Sequence, residues 1–99
     1  VTLDEAVAAS RAAFPDPTPV GHIPLILGVP DGDVLRILRS HAEGGPLDVP
    51  ELVRELANGA LTRLRLVAEL GVDVDQALAA AAESHARYAA RLRPDAAVG

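Results

Sequence analysis

Cysteine is absent from the 99 residues, which excludes disulfides and thiolate-bound zinc. Lysine is absent too, so every formal cation is an arginine, a usage that fits a high-GC genome. Aromatic residues make up only 2% of the chain, one Phe and one Tyr. No apolar run reaches the roughly 18 residues that a membrane span needs. The first residues lack a charged segment followed by a hydrophobic one, so no signal peptide is expected and a cytoplasmic location is the default. A basic surface is missing as well: the formal net charge is −5. This speaks against nucleic acid or an anionic membrane as partner.

The chain is rich instead in alanine and leucine, within a hydrophobic share of 49%. These are the strongest helix formers, whereas strands favour β-branched and aromatic side chains. The expected class is all-α, with one domain over residues 1–93 and a flexible tail over 94–99. Alanine buries little area, so a core of this composition is thin at roughly 25 cal/mol per Å². Self-association into a dimer or tetramer is the simplest remedy.

Capping signatures divide the chain. Thr2-Leu3-Asp4-Glu5 is a capping box that opens a helix to about Ala13. Pro15, Pro17 and Pro19 break it. Thr18-Pro19 is positioned to start an apolar helical segment, Val20 to Leu27, which contains Pro24. Gly28-Val29-Pro30 is expected to interrupt the chain, and Asp31 to cap a helix over Gly32 to Ala42 whose apolar face is Val34, Leu35 and Leu38. Asp48-Val49-Pro50-Glu51 opens a long helix to about Leu70. Leu52, Leu56, Ala60, Leu64 and Val67 form its apolar stripe, and Arg54, Asn58, Thr62, Arg65 and Glu69 an outer polar stripe. Gly71 ends it. Asp73-Val74-Asp75-Gln76 opens the last helix, Val74 to Leu92. Its seam of Val74, Leu78, Ala81, His85, Tyr88 and Leu92 suits antiparallel packing. The expected architecture is a helical bundle on a long antiparallel hairpin, 49–92, with two shorter N-terminal helices, completed by oligomerisation.

Glu51-Leu52-Val53-Arg54-Glu55-Leu56-Ala57-Asn58, the Leu70-Gly71-Val72-Asp73 turn and an Ala-rich final helix ending in Arg87-Tyr88 together resemble the MazG-like, all-α nucleoside triphosphate pyrophosphohydrolases. The resemblance spans Asp48 to Leu92. In that family, Glu-Glu-x-x-Glu on one helix and Glu-x-x-Asp on the next gather Mg²⁺ for hydrolysis of a nucleoside triphosphate. Hard Mg²⁺ takes oxygen ligands, and residues at i and i+3 or i+4 share one helix face. The resemblance places the second motif on Glu55 and Asn58, the latter an amide where the family has an aspartate. The first falls on Val29 to Asp33, where Asp33 alone is an acid at a motif position, and Pro30 is expected to break the helix. The implied metal set is Asp33, Glu55 and Asn58. Arg87 and Arg91 are the implied phosphate-binding residues.

Each motif has a plainer reading. Asp31 and Asp33 can be helix caps, Glu55 can pair with Arg54 or Arg63, and the terminal arginines complement the helix dipole. His22, His41 and His85 lack metal-ligand spacing, and His85 belongs to the seam. Ser10, Ser40 and Ser84 lack an activating context. Two functions follow. One is a non-catalytic assembly or interaction module with a degenerate MazG-like fold. The other is a divergent Mg²⁺-dependent pyrophosphohydrolase acting on a nucleotide.

Overall fold

Hydroxyl and carboxylate side chains start helices at three places marked in the sequence. Thr2 Oγ1 accepts from the Glu5 backbone N–H at 3.1 Å, Asp48 Oδ1 from that of Glu51 at 3.1 Å, and Asp73 Oδ1 from that of Gln76 at 3.0 Å. Each satisfies a donor that the first helical turn leaves without an intrahelical partner. The computed structural model describes residues 1–16 and 19–93. They form α1 (Leu3–Ala13), α2 (Pro19–Ile26), α3 (Gly28–Ala42), α4 (Val49–Glu69) and α5 (Val74–Leu92), with no strand among the described residues. The class is all-α, as the composition requires. Thr18 and the tail expected over 94–99 lie outside the described residues.

Gly44 and Gly71 end α3 and α4 at φ of 99° and 80°. Only glycine adopts this left-handed conformation without strain. At Gly71 the turn closes through Gly71 N–H to Ala68 O at 3.0 Å and Val72 N–H to Val67 O at 3.4 Å.

Three expectations are corrected. Pro30 does not break a helix. It lies in the first turn of α3, where the missing N–H would have had no partner, and α3 begins at Gly28 behind a single turn residue, Leu27, which offers no side-chain cap. The inward face of α3 is Pro30, Val34 and Ile37, whereas Leu35 and Leu38 are exposed. The antiparallel pair is α3 with α4. Early α3 meets late α4 through Asp31 and Arg63 at 2.6 Å, and later α3 meets early α4 through Arg36 and Glu51 at 2.7 Å. Gly59 is buried between them. A Cβ there would lie in ordinary contact with α3, 3.4 Å from Asp31 Oδ1 and 3.8 Å from Pro30 Cβ, and tight only against Arg63 Nη1 of its own helix at 3.0 Å.

α4 is the spine on which every other helix packs. Its inward face matches the expected one only in part, with Leu52, Leu61, Leu64, Val67 and Ala68 of the apolar arc half-buried. Gly59 and Arg65 are its buried residues, whereas Val53, Leu56 and Ala60 of the apolar arc are exposed. Among the described residues the apolar core is small: Val7 of α1, Ile23 of α2, Ile37 of α3 and Val74 of α5.

α5 departs furthest from expectation. Val74 is buried and Ala77 half-buried, but every residue from Leu78 to Arg93 is exposed. The seam does not close on α4. The chain is accordingly extended, with a radius of gyration of 16.8 Å against about 13 Å for a compact domain of this length. No helix among the described residues is long and apolar enough to cross a membrane.

Candidate functional site

The later part of the polar stripe of α4, from Thr62 to Glu69, is turned inward where α1 packs on it, while Arg54 and Asn58 are exposed. Glu55, Asn58, Thr62 and Arg65, spaced by three or four residues, share one face. Together they form one wall of a cavity of about 450 Å³. Ser10, Ala13 and Phe14 of α1 and its C-cap close a second side, and Ile23 and Ile26 of α2 a third. The cavity is an apolar cleft with one polar wall.

Arg65 is its most confined polar group, at 4% exposure. One guanidinium nitrogen, Nη1, donates to the Ser10 carbonyl at 3.1 Å. Nε lies 3.8 Å from Glu69 Oε1, too far for a hydrogen bond, and has no hydrogen-bond partner. Glu69 is also engaged by Arg11 Nε from α1. An arginine on each side of one carboxylate therefore ties α1 to α4. Thr62 Oγ1 donates to the Asn58 carbonyl at 2.8 Å, bending back on its own helix as mid-helix threonines do.

A second groove of about 330 Å³ lies beyond Glu55 and is lined by Asp31, Val34, Leu35, Glu55, Leu56 and Arg63. Arginines hold the acids around it. Asp31 pairs with Arg63, Glu51 with Arg36, and Asp33 lies 3.7 Å from Arg36 Nε. Arg36 is held above its ordinary pKa, first by its hydrogen bond to Glu51, then by the charge of the same carboxylate. Glu55, with its carboxylate mostly shielded, has Arg54 Nε at 3.9 Å.

Of the residues expected to form a metal site, the fold brings Glu55 and Asn58 together on one cavity wall, while Asp33 lines neither cavity. Among the described residues no three His, Asp or Glu side chains gather as a metal-binding group. Arg87 and Arg91 stand on α5, which contributes no residue to the cavity. Arg87 pairs with Glu83 at 2.9 Å along its own helix. His22 sits 3.0 Å from Asp16 and His41 3.0 Å from the Gly45 carbonyl.

Sequence reasoning assigned Arg65 to the solvent and gave no role to Ser10 or Phe14. A usable signal existed for Arg65: it continues the Glu55–Asn58–Thr62 line at helical spacing, so whatever direction those residues face, it faces too. No family model, curated protein or solved structure matches this chain.

Proposed function

We propose that this chain is a non-catalytic assembly module on a degenerate MazG-like helical scaffold. The observation that carries the reading is α5, a 19-residue helix with an apolar seam that its own chain leaves uncovered beyond Ala77. Most helices in proteins are held by packing of an apolar face and not by propensity alone. A helix bearing Leu78, Tyr88 and Leu92 in the open is built to be covered by another helical surface.

A second reading is motivated by Glu55 and Asn58 standing in the same cavity wall as Arg65. It is a divergent Mg²⁺-dependent hydrolase that releases pyrophosphate from a nucleoside triphosphate. The residues present fit that cation poorly. Mg²⁺ wants near-octahedral oxygen ligation with strong negative charge. Here one carboxylate and one amide share the wall, Asp33 lies outside it beside Arg36, and the cavity already holds the buried Arg65 cation. A guanidinium in that position repels a metal ion and attracts a phosphate or carboxylate. The assembly reading accounts for more of the chain.

Two measurements decide. Light scattering at micromolar concentration is expected to give a mass above that of the 10.2 kDa chain; a clean monomer would sink the assembly reading. Incubation with Mg²⁺ or Mn²⁺ and a panel of (d)NTPs is expected to release no pyrophosphate. Turnover that disappears in Glu55→Gln would establish the hydrolase instead.

A further inference from the structure

The surface left open has a size, a pattern and a charge distribution that together specify its occupant. The chain exposes 7150 Å². A compact monomer of its mass would expose about 5,300 Å². The excess, about 1,800 Å² per chain, is well above the roughly 800 Å² per partner that a stable interface takes.

Along α5 the open seam is Leu78, Ala81, His85, Tyr88 and Leu92. Its flanks are small, with Ala82, Ser84 and Ala89 beside it. Small flanking residues let two helices approach near the lower end of the usual interaxial distance of about 8–10 Å. The ends of α5 carry opposite charge. Asp73 and Asp75 stand at the N-terminal end, Arg91 and Arg93 at the C-terminal end. Between them Arg87 and Glu83 satisfy each other. A helix of this kind is its own best complement when reversed. Antiparallel pairing sets acid against arginine at both ends and opposes the two helix dipoles. Parallel pairing would stack arginine on arginine.

We infer that the occupant is a second copy of this chain, docked α5 against α5 in antiparallel orientation about a two-fold axis at the level of Glu83. This rests on the assembly reading above and names its partner. In that register Leu78 meets Tyr88 of the other copy and Ala81 meets His85. Leu92 arrives at the root of α5, where Leu70 and Val72 of the connecting turn are exposed. The contact is isologous: one patch serves both copies and closes the assembly at that face.

The absence of cysteine makes single spin labels simple to place. Gln76→Cys, Glu83→Cys and Ala90→Cys lie on one outward line of α5. Antiparallel pairing is expected to give the shortest label-to-label distance at position 83. Positions 76 and 90 should give longer and mutually equal distances, because their levels are offset by about 21 Å along the axis at the helical rise. Three equal distances would mean parallel pairing and would overturn the inference. The double variant Leu78→Glu, Tyr88→Glu changes two side chains that are exposed in the single chain, so its far-UV spectrum should keep the helical signal. Its dimer dissociation constant should rise by more than about tenfold. An assembled particle indifferent to that variant would place the interface elsewhere and overturn the inference, while the assembly reading would stand. A chain that stays monomeric at every concentration reached would sink both.

Discussion

Arg65 carries a full positive charge out of water with one of its donors unused. Burying an ion is expensive unless hydrogen bonds and a counter-charge replace the lost hydration. Here the replacement is partial: the Ser10 carbonyl takes Nη1, Glu69 stands at 3.8 Å from Nε, and Nε makes no hydrogen bond. A side chain of similar length without the charge should therefore be tolerated. Arg65→Met is expected to change the unfolding free energy by less than about 1 kcal/mol, because a methionine fills the same space and leaves Glu69 with Arg11. Arg65→Ala should cost about 2–4 kcal/mol, through the void it opens beside an existing cavity and the loss of the α1 tether. Urea unfolding of the two variants reads the difference, and equal losses would show that the charge itself matters. Ser10 could not have been identified from the sequence, because its contribution is a backbone carbonyl at the last turns of α1, and a carbonyl is present in every residue.

Among the elements, the side-chain-capped helix ends were legible, the start of α3 was not, and helix faces were legible only in part. Caps are local chemistry: Thr2, Asp48, Asp73 and Gly71 act on backbone groups within three or four residues, so their effect is the same in any fold. Faces are decided by neighbours far along the chain. α4 is apolar on one side and polar on the other, and periodicity alone assigned the apolar side inward. The structure turns Gly59 inward against α3 and Arg65 inward against α1, which offers Arg65 the Ser10 carbonyl and, through Arg11, shares the Glu69 carboxylate of α4. Glu55 and Asn58 share a face because helical spacing sets them one turn apart, while the position of Asp33 depended on how α3 docks. The caps also predict local behaviour. α5 leans on few tertiary contacts, so Asp73→Ala should act mainly on that helix. About 1 kcal/mol of capping energy is expected to appear as faster amide exchange through Val74–Leu78 of the unassembled chain, with α4 amides nearly unchanged. Uniform acceleration in both helices would contradict this picture.

For the molecule as a whole, four buried apolar side chains among the described residues and an extended outline are what the proposed assembly would complete. When folding and association are linked, stability depends on concentration. The melting temperature is expected to rise as protein concentration is raised a hundredfold, and to fall with added salt, because the paired ends of α5 are exposed charges that salt screens over about 10 Å or less. A melting temperature independent of both would contradict a linked assembly. The expectation of one domain completed by self-association came from composition, from alanine supplying too little area; the identity of the uncovered surface did not. Sequence patterning marked the seam of α5 as a contact with α4, since neighbours in sequence most often pack together. The turn at Gly71 to Asp73 instead leads α5 away.

That outward direction has a consequence for the lifetime of the chain. Proteases of trypsin-like preference cut after arginine, and they need a locally opened backbone. Arg87 and Arg91 both stand on the uncovered part of α5, where opening a few helical turns disturbs no other element. On the proposed pairing, a copy without its partner would be the readier substrate for degradation, and a covered copy would be protected at the same bonds. Clearance of unpaired chains would then make abundance rise faster than synthesis, so that the open helix records in each molecule whether it has been matched.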